Sequence, residues 1–204
     1  MIDLKEITYK ESWIPYTRDE LIAKIEKSMS PRRFSHVLGV EQSAVELAER
    51  YDCDVNLASL AALVHDYAKE RSDLVFFDLI RANDRFRPLI PFGNNIWHSI
   101  LGAELIRYEL DVRNEEVLHA VQVHTTGAPE MSTLDKILFV ADYIEPNRKF
   151  SGVKTARLLA EEDLNAAVAY ELKHTLLHLI ELNQPVYGLT LDAYNKWVAH
   201  VEYK

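Results

Sequence analysis

The chain has 204 residues, of which 48% are hydrophobic, so it is long enough to bury one core, or a core with a small appendage. Its 32 acidic and 23 basic residues give a net charge of -9, which disfavours nucleic acid as an extended partner. The single cysteine, Cys53, excludes an intramolecular disulfide and a cysteine-rich zinc site. A small phosphorylated substrate would need local cations, from bound metal or from a few placed Arg and Lys side chains.

The compartment and the domain count follow from the same bulk properties. The first residues lack the basic and then apolar order of a signal peptide, and charged residues interrupt every apolar run before it reaches membrane-spanning length. We therefore expect a soluble cytoplasmic protein without a membrane partner. We predict a single domain over residues 1–204, with an N-terminal helical extension (1–30), a core (about 31–150) and C-terminal helices packing on the core (about 151–204).

Glycine and proline are few, and they separate long stretches with helical periodicity, which predicts an all-α fold. Ser30-Pro31 is a typical helix start. The stripe that follows lies on one helix face and turns His36 inward; it consists of His36, Val40, Ala44, Leu47 and Tyr51.

The next helix carries a second histidine on its buried side. Its apolar stripe includes Leu57, Leu60, Ala61, Val64, His65 and Ala68, and Asp66 lies at the edge of that stripe. Residues 83–95 contain two prolines, a glycine and three asparagines, and their lack of helical period predicts a long loop bordering a pocket.

Three further helix segments carry candidate polar residues. One has His98, Leu101, Leu105 and Tyr108 on a shared flank, and the next runs from about Asn114 to His124. The segment Thr125-Thr126-Gly127-Ala128-Pro129 should end that helix. A capping box at Ser132-Thr133-Leu134-Asp135 then opens a helix that Pro146 should terminate, with Asp142 in its last turns.

From Gly152 onward we predict two or three helices that pack on the core and shape either the site or the surface of a homodimer. Their clearest stripe is Leu164, Val168, Leu172, Thr175, Leu179 and Leu182. His174 and His178 have a metal-binding spacing but lack the order His-Glu-x-x-His, so we interpret them as non-ligands. The flanking Glu171 and Glu181 indicate a partly solvated helix side.

The inward-facing polar residues point to a metal site. A single buried histidine is usually a hydrogen-bonded core residue, but several buried polar groups without ligands would carry large desolvation costs. Imidazole with carboxylate suits iron, manganese or zinc rather than calcium. His119 competes with His124 as a candidate, but the two are five helical positions apart and so face different directions. The candidates are His36, His65, Asp66, His98, His124 and Asp142.

These residues resemble the HD-domain metallophosphohydrolases through His36, then His65-Asp66 within His-Asp-Tyr-Ala-Lys, and Asp142. His98 and His124 extend the resemblance to the six-ligand version of that family, which holds two metal ions. More narrowly the chain is similar to the bacterial YqeK family of symmetrical diadenosine tetraphosphate hydrolases. The stretches that carry this closer similarity are His124-Thr125-Thr126-Gly127, residues 141–148, Gly152-Val153 and Asp163-Leu164-Asn165.

The resemblance implies an all-α HD-domain helical bundle with two divalent metal ions, iron in the family, with manganese or zinc as alternatives. By position, one ion would be held by His36, His65, Asp66 and Asp142, and the other by His98 and His124, with Asp66 bridging. A metal-bridging hydroxide would then attack a polyphosphate and convert diadenosine tetraphosphate to two ADP.

The predicted catalytic residues are Asp66 and Lys69. Lys69 lies one helical turn past His65-Asp66, where its ammonium would stabilise phosphate charge, although a solvated lysine is the alternative. The predicted substrate-binding residues are Lys69, Thr125, Thr126, Gly127 and Arg148. The Thr125-Thr126-Gly127 segment would donate hydrogen bonds to phosphate, or would simply form the turn that ends a helix.

Other nearby residues leave alternatives open. Lys149 and Lys154 form a short basic cluster with Arg148, but the resemblance favours Arg148 alone. The aromatic residues Phe86, Phe92 and Trp97 would pack either on a base or in the core.

Two other functions compete with this one. The first is an HD-type hydrolase of another nucleotide, such as a nucleoside monophosphate or a guanosine alarmone. The second is a regulatory module that binds a nucleotide without turnover, which predicts degraded ligand positions. All six ligand positions are intact, which argues against the regulatory module.

Overall fold

The computed structural model describes residues 4–199, and every regular element in this range is a helix. This confirms the all-α prediction. Two 3₁₀ helices in this range span Leu4–Glu6 and Asp84–Phe92. The α-helices are α1 (Arg18–Glu26), α2 (Pro31–Arg50), α3 (Val55–Val64), α4 (Asp73–Ala82), α5 (Asn94–Glu109), α6 (Glu115–Val123), α7 (Thr133–Ile144), α8 (Val153–Glu162), α9 (Leu164–Glu181) and α10 (Gly188–Trp197).

Local capping residues set the ends of the two helices that carry the first and last candidate ligands. Ser30 caps α2 with its side chain, and Pro31 is the first residue of that helix. Ser132 and Asp135 form the predicted capping box of α7, which ends before Pro146. The sequence therefore predicted both helix starts correctly.

The main core joins the elements that carry the candidate ligands. Helix α2 packs along α3 and α7, and α6 packs against α3, α5 and α7. Fully buried side chains at the centre of this bundle include Val37, Leu60, Leu63, Ile137 and Phe139. Burial of this apolar surface is the dominant favourable contribution to the free energy of folding. Here it fixes the positions of five helices relative to one another: α2, α3, α5, α6 and α7.

A second hydrophobic cluster fills the space between α4, α5 and the segment before α5. Phe86 and Leu89 of this segment are buried, and the Trp97 indole nitrogen donates a hydrogen bond to the Leu89 carbonyl oxygen at 2.7 Å. The prediction of an irregular loop over 83–95 was therefore wrong, because residues 84–92 form a 3₁₀ helix and α5 already begins at Asn94. Phe86 and Trp97 are core residues, which leaves neither free to pack on a base.

A buried polar network attaches the N-terminal segment to the core. The Arg18 guanidinium donates two hydrogen bonds, both 2.7 Å, to the carboxylate of Glu41, which is buried in α2. The Ser59 hydroxyl donates to the same carboxylate at 2.5 Å, and Tyr9 lies 2.8 Å from Ser59. Because this buried charge is paired and hydrogen-bonded, the network holds the segment around Tyr9 and Arg18 on α2 and α3.

The C-terminal part of the described chain forms three helices. Helix α9 packs on α7, and α10 packs on α9. The predicted stripe is buried at Leu164, Val168 and Leu172, whereas Leu182 lies past the end of α9 and is exposed. Helix α9 thus lies against the helix that carries Asp142.

Two side-chain predictions were wrong. Glu171 is buried rather than partly solvated, because the face of α9 that carries it packs against α7. Burial, together with the charge of Asp142, raises the pKa of Glu171 well above its ordinary value. Tyr108 is exposed, because ten residues at 100° per residue rotate it about 80° away from His98 on α5.

Among residues 4–199, no helix combines the length and the apolar character that crossing a bilayer requires.

Candidate metal centre

The six predicted ligands come together at the junction of five elements. His36 lies in α2, His98 in α5 and Asp142 in the last turns of α7, while His65-Asp66 and His124 directly follow α3 and α6. Their ligand atoms form three groups whose members lie within 4.8 Å of one another. The groups are His36, His65 and Asp66; His65, His124 and Asp142; and Asp66, His98 and His124.

Backbone carbonyl groups fix the orientation of three of the histidine rings. The Nδ1 atoms of His65, His98 and His124 lie 2.7, 2.6 and 2.6 Å from the carbonyl oxygens of Ala62, Asn94 and Val121, respectively. Because a carbonyl oxygen only accepts, each Nδ1 carries the proton and donates it, which leaves Nε2 with a free lone pair. This hydrogen bond from the second ring nitrogen is the usual partner of a metal-ligating histidine.

Unpartnered buried nitrogen atoms show that the site suits a cation. The Nε2 atoms of His36, His65 and His124 are buried and accept no hydrogen bond. Leaving three buried polar atoms without partners costs free energy, and coordination to metal would remove that cost. These residues therefore fit a divalent metal ion, and the chain has a divalent metal-binding site.

Asp66 faces ligands on both sides. Its Oδ2 atom lies 3.5 Å from the Nε2 atoms of both His36 and His65, and its Oδ1 atom lies 3.5 Å from Nε2 of His98. Asp142 Oδ1 lies 3.1 Å from Nε2 of His36. The two oxygens of Asp66 thus face different histidines.

The protonation states match a cation site. Burial would raise the pKa of Asp66, but the charge and hydrogen bond of His65 hold that pKa well below its ordinary value. Burial would likewise raise the pKa of Asp142, but the nearby His36 and the charges of His65 and Arg148 keep that carboxylate ionised. Burial lowers the pKa of His124 to about 4 and places that of His98 well below its ordinary value. Ionised carboxylates and neutral imidazoles are the forms in which these side chains bind metal. Burial would lower the pKa of His65, but the charge of Asp66 raises it, so His65 would give up its second proton when a metal binds.

Two arginines and a lysine surround the cluster. Arg33 donates to Asp66 Oδ2 at 2.6 Å, and Arg148 donates to Asp142 Oδ1 at 2.7 Å. The Lys69 ammonium lies 3.3 Å from Nδ1 and 3.4 Å from Nε2 of His98, and burial lowers its pKa. Of the cations predicted to bind phosphate, Lys69 and Arg148 are therefore both at the centre.

Two roles were considered for the Thr125-Thr126-Gly127 segment, phosphate binding and the turn that ends a helix, and its residues differ in which of them they fit. The Thr125 hydroxyl lies 3.3 Å from His98 Nε2 and so borders the cluster. The Thr126 hydroxyl is buried and donates to the Gly127 carbonyl at 2.8 Å. Gly127 has φ of 62°, and a Cβ there would lie 3.0 Å from Leu172. Thr126 and Gly127 thus form the turn that ends α6, and this turn places Thr125 beside the cluster.

His119, His174 and His178 lie outside the three groups. His119 is exposed and pairs with Asp135 at 3.0 Å. His174 stacks on Tyr170 with the ring centroids 3.9 Å apart, and His178 is exposed. Their non-ligand role stays a prediction.

Comparison with known proteins identifies the family of the chain. The HD domain model matches residues 33–147, which is more than half of the chain. The chain belongs to the HD-domain family. The symmetrical bis(5'-nucleosyl)-tetraphosphatase of Bacillus subtilis (strain 168) is 40% identical over 178 residues, covering 87% of this chain and 96% of its own. The protein of the same name from Staphylococcus aureus (strain NCTC 8325 / PS 47) is 33% identical over 171 residues, covering 83% and 88%.

A solved structure of the same HD-domain family has a similar fold. It is the crystal structure of a predicted HD superfamily hydrolase involved in NAD metabolism from Clostridium acetobutylicum, with a TM-score of 0.82 and 32% sequence identity. The similarity covers 89% of this chain and 97% of that one. The family resemblance stated from the motifs, including the similarity to the symmetrical tetraphosphatases, is confirmed.

Sequence reasoning missed Glu145, a buried partner of this HD-domain centre. Its Oε1 lies 3.2 Å from His36 Nδ1, and its Oε2 accepts from the backbone nitrogen of Asn147 at 2.6 Å. A Cβ on Gly39 would lie 2.6 Å from Oε2, so α2 needs glycine there for Glu145 to reach His36. The only sequence signal was an acidic residue three positions after Asp142, at the helix end, where solvent exposure is the usual interpretation.

Arg157 of α8 supports the same turn. Its guanidinium donates to the carbonyl oxygens of Ile144 and Glu145, both at 2.8 Å, and to that of Arg148 at 3.2 Å. These bonds satisfy carbonyl groups left free at the end of α7. Arg157 thereby fixes the turn that carries both Glu145 and Arg148.

We predict that Glu145→Gln weakens metal binding by about 10- to 100-fold, as loss of a ligand's hydrogen-bond partner does elsewhere. Both oxygens of Glu145 now accept, from His36 and Asn147, whereas a glutamine amide group would present a donor to one of them. Metal titration monitored by calorimetry measures the change. Glu20→Gln is the matched control, because Glu20 also accepts two hydrogen bonds, both from Thr17, the residue that caps α1. Wild-type metal affinity in Glu145→Gln would contradict the positioning role.

Proposed function

We propose that this chain hydrolyses diadenosine tetraphosphate symmetrically to two ADP in a metal-dependent reaction. The observation that carries the proposal is the buried cluster of His36, His65, Asp66, His98, His124 and Asp142, in which three Nε2 atoms lack partners. The substrate comes from the 40% identical relative named as a symmetrical bis(5'-nucleosyl)-tetraphosphatase, which is matched over 96% of its length.

We propose two metal ions, with iron as the metal and manganese or zinc as substitutes. His36, His65, Asp66 and Asp142 would hold one ion, and His98 and His124 the other, with Asp66 shared. The positions of the two Asp66 oxygens support this division, since each oxygen lies 3.5 Å from histidines of a different site. Two such ions supply an activated water and neutralise charge on the reacting phosphate.

The chain's own cations would bind and orient the polyphosphate. Lys69, which is largely buried beside His98, would contact a phosphate oxygen at the reacting centre, and Thr125 would donate a hydrogen bond on the same side. Arg148, beside Asp142, would contact a phosphate on the opposite side. Thr126 and Gly127 are not retained as substrate contacts, because the turn uses the Thr126 hydroxyl.

The remaining parts of the proposal concern the whole chain. We propose that residues 1–204 act as one HD-type domain, which the Arg18–Glu41 pair and the packing of α9 on α7 support. We propose a small-molecule nucleotide as the partner, because the net charge of -9 disfavours nucleic acid. A free, half-buried Cys53 supports a cytoplasmic location. The exposed apolar residues Leu177 and Ile180 of α9 are the surface on which a homodimer would form.

The product pattern tests the proposed reaction. We predict that the iron-loaded protein converts diadenosine tetraphosphate to ADP alone, as measured by separating the products by chromatography. Parallel incubations with a nucleoside monophosphate and a guanosine tetraphosphate test the competing HD-type activities. Formation of ATP with AMP, or cleavage of the mononucleotide while diadenosine tetraphosphate stays intact, would refute the proposal.

A further inference from the structure

A cleft opens beside the metal ligands on the side of α2. It has a volume of about 440 Å³, and its lining includes Arg32, Arg33, His36, Asn147 and Arg148. Because His36 belongs both to this lining and to the metal cluster, a molecule in the cleft has direct access to the reacting centre. The volume is within the range of about 300 to 1,000 Å³ that is typical of small-molecule sites.

The charges at the cleft have an unusual arrangement for a helix start. Arg32 and Arg33 lie in the first turn of the 20-residue helix α2, and that turn contains no acidic residue. The N-terminus of a helix carries partial positive charge, so cations in the first turn are unfavourable and anions are favourable there. An anion bound at this end of α2 would offset the repulsion between the two arginines and the helix.

The acidic groups around the cleft are already paired. Glu70 accepts from the backbone nitrogen and hydroxyl of Ser30 at 2.6 and 2.7 Å, while Glu145 accepts from Asn147. Arg33 and Arg148 each contact a carboxylate of the metal cluster. The exposed Arg32 guanidinium, by contrast, has no hydrogen-bond or ion-pair partner among residues 4–199. Among the described residues, Arg32 is therefore the cation of this cleft that has no existing partner to compete with an incoming anion.

We infer that the cleft binds one nucleoside diphosphate arm of the substrate and that Arg32 contacts the phosphate of that arm farther from the reacting centre. The inference rests on the proposed function. Symmetrical cleavage leaves a nucleoside diphosphate on each side of the broken bond, and Lys69 with Thr125 lies beside His98, on the other side of the cluster. The exposed Ser35 hydroxyl and Asn147 amide at the cleft are hydrogen-bonding groups suited to a ribose.

The test uses ADP as the probe on the metal-loaded protein, because ADP is the arm itself and is not turned over. For Arg32→Gln we expect the Kd of ADP, measured by calorimetry, to rise about tenfold, as loss of one charge-assisted hydrogen bond predicts. The KM for diadenosine tetraphosphate should rise by a similar factor, with kcat within about twofold of wild type. Inhibition by inorganic phosphate should be unchanged, because inorganic phosphate lacks the outer phosphate that Arg32 would contact. Arg32→Lys should recover part of the ADP affinity.

Lys173→Gln is the matched control, because Lys173 is an exposed cation on α9 outside the cleft, and the substitution changes the net charge equally. Unchanged ADP affinity in Arg32→Gln, an equal loss in Lys173→Gln, or an equal weakening of phosphate inhibition would overturn the inference. So would wild-type protein that does not bind ADP. The binding measurement is independent of turnover, so failure of the wild type to form two ADP would refute the proposed function while the cleft is judged on ADP affinity alone.

Discussion

Replacing Asp66 by asparagine should remove metal and hydrolytic activity together. The two oxygens of Asp66 lie 3.5 Å from histidines on opposite sides of the cluster, and an asparagine retains only one oxygen and no charge. Loss of a residue that hydrogen-bonds to a metal ligand lowers metal affinity or activity about 10- to 100-fold. Loss of the shared ligand itself should therefore lower kcat by more than about 100-fold. Elemental analysis of the purified protein and the rate of ADP formation measure the two effects.

Asp135→Asn is the matched control for this substitution. Asp135 is also a buried aspartate, but it serves the capping box of α7 and lies outside the three ligand groups. We expect this variant to keep its metal and its activity and to lose about 1 kcal/mol of folding stability at most, which is the size of a capping contribution. An Asp66→Asn protein that holds two ions and turns over at the wild-type rate would rule out the bridging role.

The parts of the fold that depend on local chemistry could be predicted from the sequence. The starts of α2 and α7 were predicted because Ser30 and the Ser132-Asp135 capping box act within one helical turn. His36 was placed inward by the periodicity of its helix, and it is buried. The burial of such a residue can be predicted without knowing which distant parts of the chain pack around it.

The errors arose where a distant element decides the environment. Pro88 and Pro91 make residues 84–92 look like a loop, but packing against α4 and α5 buries part of that segment in a 3₁₀ helix. Glu171 has the sequence surroundings of a solvated side chain, and only the packing of α9 on α7 buries it. Glu145 contacts a residue 109 positions away, so no local pattern identifies it as the partner of His36.

The cleft beside α2 and the turn at Thr126 could not be predicted from the sequence for a related reason. The sequence shows which side chains carry hydrogen-bonding groups but not which of these groups the backbone uses. Thr125 and Thr126 are adjacent and chemically identical, yet one borders His98 and the other bonds to the Gly127 carbonyl. The carboxylates of Asp66 and Asp142 pair with Arg33 and Arg148, so among the described residues Arg32 is the arginine of the cleft that has no partner.

Lys69→Gln should lower kcat by about 100-fold while the metal content stays at the wild-type level. The Lys69 ammonium is largely buried and lies 3.3 Å from His98 Nδ1, where it would face negative charge developing on the transferred phosphate. Removing one such preorganised donor from an enzyme typically costs about 10² to 10³ in kcat. Steady-state kinetics with diadenosine tetraphosphate, together with elemental analysis, separates this effect from loss of metal.

Lys136→Gln is the control, because Lys136 is also partly buried and bonded, to Asn165 at 3.0 Å, but lies outside the metal groups. Its kcat should stay within about twofold of wild type, since no substrate charge develops near it.

Whether Lys69→Gln changes kcat alone, or kcat together with metal content, decides between two roles for the lysine. A fall in kcat at constant metal content identifies a direct contact with the reacting phosphate, because an electrostatic contact made mainly in the transition state lowers kcat. Loss of metal in step with activity would instead mean that Lys69 acts only by holding the His98 ring, and an unchanged kcat would remove it from the reaction.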